Sequence, residues 1–235
     1  MSNKKNLVLF LPDPAVGGVK KNFFIISNYL ITKIKQITII TVDKKIKKNL
    51  DKRIKIVAPS NNFFDNSNIY IKYLICIILL IKKIILDRNI VILTFQGNWY
   101  SIVIAKIFGI KILTRSNTAP DGWSKNKIKN ILYKFVLNLS DEIIVNSIEF
   151  RKIIKKRFNL KSVTIHNPLN KEEIIRLSKK KINFNYFKKK NVLKIINFSR
   201  LTDQKNHVLL LKGFLKLNKK LKYRLLIAGN GPEEQ

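Results

Sequence analysis

The chain has 235 residues, of which 46% are hydrophobic, enough for the core of one large domain or of one domain with part of another. Its formal net charge of +33 ordinarily indicates nucleic acid or an anionic membrane as partner. However, only eight of its 47 basic residues are Arg and the others are Lys, which suggests codon bias. Arg-rich patches interleaved with aromatic residues are not evident, so nucleic acid is not the expected partner, whereas anionic lipid headgroups stay open.

The chain begins with a short apolar run, residues 7–11, which predicts a buried strand. This run is shorter than the core of a signal peptide, so we expect a cytoplasmic protein. A helix follows, and Gly17 and Gly18 stand at its start, where a backbone N–H group could approach an anion closely. A tight turn is the plain alternative. Farther along this helix, Asn28 is predicted to point outward.

Strands and helices are predicted to alternate along the first 170 residues. The predicted strands are residues 7–11, 36–42, 54–58, 89–95, 111–114 and 143–145. The predicted helices between the later strands are residues 69–86, 101–108 and 125–139. This alternation predicts an α/β fold with a doubly wound parallel sheet. Ligands of such folds bind at the carboxyl ends of the strands.

Residues 69–86 are the most hydrophobic part of the chain. Lys72, Lys82 and Lys83 interrupt them, and the longest uncharged piece is shorter than the roughly 20 apolar residues of a membrane span. We predict a buried helix, or one that lies in a membrane interface with its lysines at the headgroups. The single cysteine, Cys76, lies in this run and is predicted to be buried and inert.

Two predicted loops carry polar residues that suit a sugar acceptor. Asn98 follows the strand at residues 89–95, and Arg115, Asn117 and Trp123 follow the next strand along the chain. Arg can bind a charged group and Trp can stack on the face of a sugar. The same loop is rich in ordinary turn residues, so a plain turn is the alternative.

A second strand and helix pair begins near residue 191. The apolar run at residues 192–198 predicts a strand, residues 208–217 have helical spacing, and SRLTDQKN forms the loop between them. Arg200 and Lys205 lie on this loop, five residues apart, a spacing that suits a diphosphate better than a lone charge would. Two solvated cations are the plain alternative.

This part of the chain resembles the donor-binding half of the group 1 glycosyltransferases, also called family 4, which have the GT-B fold. The matching residues, in order, are Arg200, Leu201, Lys205, Gly213, Phe214, Gly229, Gly231 and Pro232. In that family the Arg and the Lys hold the diphosphate of a nucleotide-sugar donor. The resemblance implies this role for Arg200 and Lys205.

The resemblance extends to the first part of the chain. The family carries a glycine pair in its first loop, facing the cleft, which makes Gly17 and Gly18 candidates for diphosphate contacts. It also shows an Arg-containing loop at the position of Arg115. Family members often have a histidine near Asn98, and this chain has none there. An acid–base or sugar-orienting role assigned by that position is therefore in doubt.

The resemblance implies three segments: an acceptor-side domain at residues 1–170, a linker at 171–190 and an incomplete donor-binding domain at 191–235. Asn167 and Pro168 hold the hinge positions that end the family's first domain. The linker is basic, aromatic and unpatterned. The missing part of the second domain would contain the contacts to the nucleotide base and ribose and a pair of glutamates. A fragment and a truncated gene product both stay open.

The resemblance implies transfer of a hexose from a nucleoside-diphosphate sugar to a saccharide or lipid-linked acceptor, with retention of configuration. It places this step in cell-envelope polysaccharide or lipopolysaccharide synthesis, with the protein cytoplasmic or peripheral on the inner face of the membrane. The first alternative is a catalytically incomplete remnant or fragment that acts at most as a binding domain. The second, which leaves the ordered motifs unexplained, is a basic nucleic-acid-binding protein.

No metal is expected, because two cations already neutralise the phosphates, and the two histidines, His166 and His207, form no metal signature. The catalytic base is not assigned. Asp13 and Asp121 are the acidic residues that lie in loops at strand ends.

Overall fold

The computed structural model describes residues 6–14, 17–60, 64, 67–117, 127–181, 184–188, 190–217 and 222–234. The chain divides into two compact units, Met1–Lys171 and Glu172–Gln235.

The first unit is built on a seven-stranded parallel sheet. Its strands are Asn6–Phe10 (β1), Ile37–Ile40 (β2), Lys55–Val57 (β3), Ile90–Thr94 (β4), Lys111–Ser116 (β5), Glu142–Val145 (β6) and Val163–Thr164 (β7). They lie in the order β3-β2-β1-β4-β5-β6-β7, and every neighbouring pair is parallel. The chain thus winds outward in both directions from the β1–β4 pair, which confirms the predicted doubly wound α/β sheet.

Helices cover both faces of this sheet. They are Gly18–Leu30 (α1), Ile69–Leu86 (α2), Asn98–Ile107 (α3), Lys127–Asn138 (α4) and Ile148–Phe158 (α5), with a short 3-10 helix at Lys44–Asn49. Alternate residues of β1 enter two separate cores. Leu7 and Leu9 pack with α1 and the 3-10 helix, whereas Val8 and Phe10 pack with α2, α3, α4 and α5 on the opposite face.

Helix α2 occupies the predicted residues and explains the lysines that interrupt them. Lys72 forms an ion pair with Asp13 at 3.0 Å, and Lys83 forms one with Asp87, also at 3.0 Å. Lys82 is exposed. The prediction that all three lysines could meet headgroups is therefore wrong for two of them, because nearby carboxylates hold their ammonium groups. None of the helices in the described part of the chain combines the length and hydropathy that crossing a membrane requires.

Two further expectations need correction. Residues 171–190, predicted to lack a pattern, contain the helices Lys171–Ser178 (α6) and Asn185–Lys188 (α7). The acidic residues in the first turn of α6 and Arg176 in its last turn stabilise the helix, because both interact favourably with the helix dipole. Asn28 does not point freely outward, because its amide donates to the Asn49 carbonyl and accepts from the Asp51 N–H.

The second unit contains a two-stranded parallel sheet of Leu193–Phe198 (β8) and Tyr223–Ala228 (β9), with the helix His207–Leu215 (α8) between them in sequence. The hydroxyl of Tyr186, on α7, lies 3.1 Å from the Ile195 carbonyl and 2.7 Å from the Arg224 carbonyl. It therefore ties α7 to both strands. The assignment of this unit as a donor-binding domain stays a prediction.

Truncating a side chain on the inward face of α2 should destabilise the fold far more than truncating one on the outward face. Leu80 is fully buried and Leu74 is 59% exposed. We expect Leu80→Ala to lower the free energy of unfolding by about 2–5 kcal/mol through lost burial and a cavity, and Leu74→Ala to change it by about 0.5 kcal/mol or less. Urea unfolding followed by tryptophan fluorescence measures this, because both tryptophans belong to the first unit. Equal losses in the two variants would contradict the assigned faces.

Candidate functional site

The loop after β8 carries the two cations singled out in the sequence. It runs from Ser199 to Asn206 and includes a 3-10 turn at Asp203–Lys205. Asn206 takes a left-handed conformation with φ 48°, and its side chain caps α8 by accepting from the Leu209 N–H at 3.1 Å. The loop is thus closed by a capped helix, whose N-terminus favours an anion.

The loop after β9 packs directly onto the loop after β8. The Leu201 N–H donates to the Asn230 carbonyl at 3.1 Å, and the Glu233 N–H donates back to the Leu201 carbonyl at 3.3 Å. A Cβ atom at Gly229 would lie 1.8 Å from the Ser199 carbonyl oxygen, and one at Gly231 would lie 2.1 Å from that of Leu201. Only glycine permits these backbone approaches. They give a physical reason for two positions that the sequence marked by resemblance alone.

Arg200 and Lys205 are both exposed on this loop. Within the described part of the chain, neither side chain makes a hydrogen bond or an ion pair. Neither cation is therefore held in an ion pair with a carboxylate of the described residues. The loop presents two cations that an anionic ligand could reach, and their role as diphosphate contacts stays a prediction.

A serine and a histidine fix the base of the same loop. The Ser199 hydroxyl lies 2.7 Å from Asn197 Oδ1 and 2.9 Å from His207 Nε2. Because a hydroxyl has one proton, donation to Asn197 leaves Ser199 to accept from the Nε2–H of His207. His207 is 9% exposed, and its Nδ1 has no hydrogen-bond partner among the described residues. No sequence pattern indicated this pair beyond the presence of a histidine.

Two carboxyl groups meet beside the cations. A hydrogen bond with Asp203 raises the pKa of Glu233, since that bond requires a proton on one of the two groups. Among the described residues, no group of three or more His, Cys, Asp and Glu could hold a metal ion.

In the first unit, the loops after β1 and β4 meet where the sheet changes direction. The Asp13 N–H donates to Gln96 Oε1 at 3.1 Å, which joins the two loops, and the Asp13 carboxylate pairs with Lys72 of α2. Asp13 and Lys72 also line a small cavity of about 160 Å³. The crevice between the loops after β1 and β4 is the usual ligand site of a doubly wound sheet. The cavity lies beside it, because Val42, Asp43 and Lys45, which follow β2, also line the cavity. Asp13 was marked in the sequence but was not paired with Lys72, one of the three lysines that interrupt the apolar run of α2.

Gly17 and Gly18 stand at the start of α1, as predicted. Gly17 has φ 145° and ψ −173°, a conformation that L residues rarely adopt. The position of a Cβ atom at either glycine has no neighbouring atom within 4 Å. Open space and a free backbone conformation leave this loop accessible, and the contact of these glycines with a diphosphate stays a prediction.

Arg115 does not lie in a loop, which corrects the sequence prediction. Strand β5 extends to Ser116, so Arg115 lies within it and is 2% exposed. Its guanidinium donates to the Ile165 carbonyl at 3.1 Å and to Asn167 Oδ1 at 2.9 Å, while burial lowers its pKa. Arg115 thus anchors the segment after β7 to the sheet.

Asn98 and Asn117 lie close to Arg115 in the fold and also bind backbone. Asn98 donates to the Arg115 carbonyl at 3.2 Å, and Asn117 donates to the Phe95 carbonyl at 3.0 Å. These bonds tie the ends of β4 and β5 together. Trp123 and Asp121 lie outside the described residues. An acceptor role for any of these residues stays a prediction.

No protein-family model matches the chain, and no curated protein matches it. Solved structures do match. Alr3699/HepE of Anabaena, in complex with UDP and glucose, has a TM-score of 0.65 at 11% identity over 97% of this chain and 61% of its own. A glycosyltransferase of Rickettsia africae ESF-5 has a TM-score of 0.62 at 20% identity, with the same coverage. UGT2 of Phytolacca americana, in complex with UDP-2fluoro-glucose and pterostilbene, has a TM-score of 0.53 at 12% identity over 97% and 72%.

The fold is that of the GT-B glycosyltransferases. At these identities the likeness concerns the path of the chain and not the roles of residues. The chain spans 61% of the length of the Anabaena and Rickettsia neighbours. Within this GT-B part, the loops after β1 and β4 and those after β8 and β9 all follow the carboxyl ends of parallel strands.

Because the two loops of the second unit pack so closely, adding one methyl group at either glycine should lower the stability of this unit strongly. Gly229→Ala and Gly231→Ala should each lower the stability of this unit by about 2 kcal/mol or more, because the clashing atoms belong to backbone. Gly213→Ala is the matched control, since Gly213 lies in α8 with open space around it and should gain about 0.5–1 kcal/mol. Hydrogen exchange in peptides from residues 193–234 measures both. Unchanged exchange in the first two variants would contradict the close approach.

The thiol of Cys76 provides a probe of the first unit. Burial, with a smaller contribution from the charge of Asp13, raises the pKa of Cys76 to about 12. The raised pKa favours the protonated thiol in the folded state, so this contribution is fully present below the ordinary thiol pKa of 9.0 and is lost as pH rises from there to about 12. At pH near 8 a disulfide reagent should label Cys76 only after denaturation. Rapid labelling of the native chain would show that α2 opens or that the thiol is exposed.

Proposed function

We propose that the chain belongs to a glycosyltransferase that takes a sugar from a nucleoside-diphosphate donor. Two findings support this: the GT-B fold and the cationic loop after β8. Two of the neighbours were solved with UDP and glucose or with UDP-2fluoro-glucose, which supports a nucleotide sugar as the donor class.

The observation that carries the proposal is the pair of cations on a fixed loop. Arg200 and Lys205 are exposed and form no ion pair with any of the described residues. Residues 229–233 hold the backbone between them in place. A diphosphate offers several negatively charged oxygens, which match a guanidinium and an ammonium better than a neutral ligand does. The loop also leads into the N-terminus of α8, where the helix dipole favours negative charge.

The chemistry assigns these cations a task in the transfer step. The bond between the anomeric carbon and the diphosphate oxygen breaks, a bond to the acceptor oxygen forms, and the acceptor loses its proton. Negative charge therefore accumulates on the leaving diphosphate. Arg200 and Lys205 stabilise that charge in the transition state more than in the bound donor.

The finer parts of the proposal concern the sugar, the acceptor and the place of the reaction. We propose a hexose as the transferred group, retention of configuration, and a saccharide or lipid-linked saccharide of the cell envelope as acceptor. The reaction then takes place at the inner face of the cytoplasmic membrane. These parts rest on the resemblance of the motif from Arg200 to Pro232 to the group 1 glycosyltransferases.

Binding of a nucleotide sugar tests the proposal. Calorimetric titration of the chain with UDP, GDP and their hexose derivatives should show that one nucleotide binds. Arg200→Ala and Lys205→Ala should each weaken that binding by about 1.5–3 kcal/mol, the scale of a hydrogen bond to a charged group.

The matched control is Lys212→Ala, because Lys212 is an exposed lysine of the same unit that lies on α8 rather than on the loop. It should leave the affinity almost unchanged, whereas a general effect of lowering the net charge would weaken binding in all three variants. Equal affinity of wild type, Arg200→Ala and Lys205→Ala would reject the diphosphate site.

A further inference from the structure

The outward side of α2 is apolar where a surface helix is usually polar. Ile71, Leu74, Ile78 and Ile85 are 40%, 59%, 58% and 62% exposed. Their spacing of three, four and seven residues places them in one stripe along the helix. The inward stripe of α2 is separate, since it consists of the buried Cys76, Leu80 and Ile84. Burial in the core of the first unit therefore does not explain the apolar outward stripe.

The neighbouring helices extend this apolar surface. The Tyr73 and Tyr100 rings lie 5.8 Å apart and join α2 to α3, and the Trp99 and Tyr133 rings lie 6.1 Å apart and join α3 to α4. On α4, Ile131, Leu132 and Phe135 are 66%, 48% and 64% exposed, and Tyr100 and Ile107 of α3 are 41% and 70% exposed. We name the outward sides of these three helices the α2–α4 face. An exposed apolar area of this extent ordinarily marks an interaction site.

The charges on this face all have one sign. The sequences of α2, α3 and α4 contain no Asp or Glu, and Lys82 and Lys134 are exposed among the apolar side chains. On α2 and α3 themselves, Lys72, Lys83 and Lys106 each meet a carboxylate within 3.0 Å. Lys82 and Lys134 form no ion pair with any of the described residues. An apolar face with cations and no acidic residue is complementary to a surface that is apolar inside and negatively charged outside.

We propose that the α2–α4 face binds an anionic lipid bilayer, with its apolar side chains at the boundary between headgroups and acyl chains and its lysines at the headgroups. This mode fits helices that lie along the interface. Burial of the apolar side chains and attraction between the lysines and the anionic headgroups both contribute to this binding. This proposal rests on the exposure and charge of the α2–α4 face, and the proposed sugar transfer rests on other observations. Either proposal can therefore fail while the other holds.

Cosedimentation with vesicles tests the proposal. The wild-type chain should bind phosphatidylcholine vesicles that contain phosphatidylglycerol and bind pure phosphatidylcholine much more weakly. The double variant Leu74→Gln/Ile78→Gln should need at least about tenfold more lipid for half-maximal binding, because two inserted apolar side chains are lost. Lys82→Gln/Lys134→Gln should also weaken binding about tenfold.

Matched controls lie on the opposite side of the sheet, where α1 and the 3-10 helix pack. Tyr29 is 61% exposed on α1, and Lys47 and Lys48 are exposed on the 3-10 helix. Tyr29→Gln and Lys47→Gln/Lys48→Gln should each change the half-maximal lipid concentration less than about threefold. This comparison separates a defined face from a general attraction of a chain of charge +33 to anionic vesicles.

A fluorescent label supplies a measurement that does not depend on lost binding. An environment-sensitive dye on Ile78→Cys should shift its emission to the blue when vesicles are added, and the same dye on Tyr29→Cys should not. Cys76 is fully buried and stays unlabelled under native conditions.

Four outcomes would overturn the proposal. They are no binding of the wild type to anionic vesicles, unchanged binding of Leu74→Gln/Ile78→Gln, equal losses in the two lysine pairs, and a vesicle-free dimer that Leu74→Gln/Ile78→Gln abolishes. The last would assign the face to a second copy of the chain.

Discussion

The parallel direction of every paired strand is the constraint on which both candidate sites depend. In a parallel sheet each strand ends at the same edge as its neighbours, so the polar segments that follow the strands are gathered there although they are far apart in sequence. Asp13 and Gln96 are 83 residues apart and share a hydrogen bond for this reason. In the second unit the same geometry sets the loops after β8 and β9 side by side.

Contact between the loops after β8 and β9 restricts the backbone before a ligand binds. A bound anion therefore does not have to order this backbone. The loop that carries Arg200 is held by hydrogen bonds from both ends of Leu201 and by two glycines that let the backbones touch. Fixing the backbone before binding leaves only the two long side chains to be ordered when an anion arrives. The glycines therefore contribute to an anion site without contacting the anion. The requirement for glycine at these two positions is therefore evident from the backbone contacts in the structure, whereas their spacing in the sequence does not explain it.

Much of the fold was predictable because apolar periodicity reports burial directly. The bounds of α2 and the alternation of strands and helices followed from it. The place of Arg115 did not, because a buried arginine requires partners, and these lie 50 and 52 residues away, on a segment whose approach no local pattern describes. Helices α6 and α7 were missed because they have only eight and four residues, too few for a periodic pattern to stand out in a basic segment. Of the candidate site, the loop between strand and helix that carries the two cations was predictable from apolar patterning, and their role as diphosphate contacts, which rests on resemblance, stays a prediction. The Ser199–His207 pair was not predicted.

The many lysines show most clearly what sequence and structure each contribute. In the sequence, Lys72, Lys82 and Lys83 look alike, since each interrupts one apolar run. In the fold, the carboxylates of Asp13 and Asp87 lie within 3.0 Å of the first and the third, so their charges are largely compensated inside the protein. Lys82 lies instead among exposed apolar side chains. Net charge alone therefore says little about a partner, because only cations without an internal carboxylate act at full strength on a surface outside the molecule.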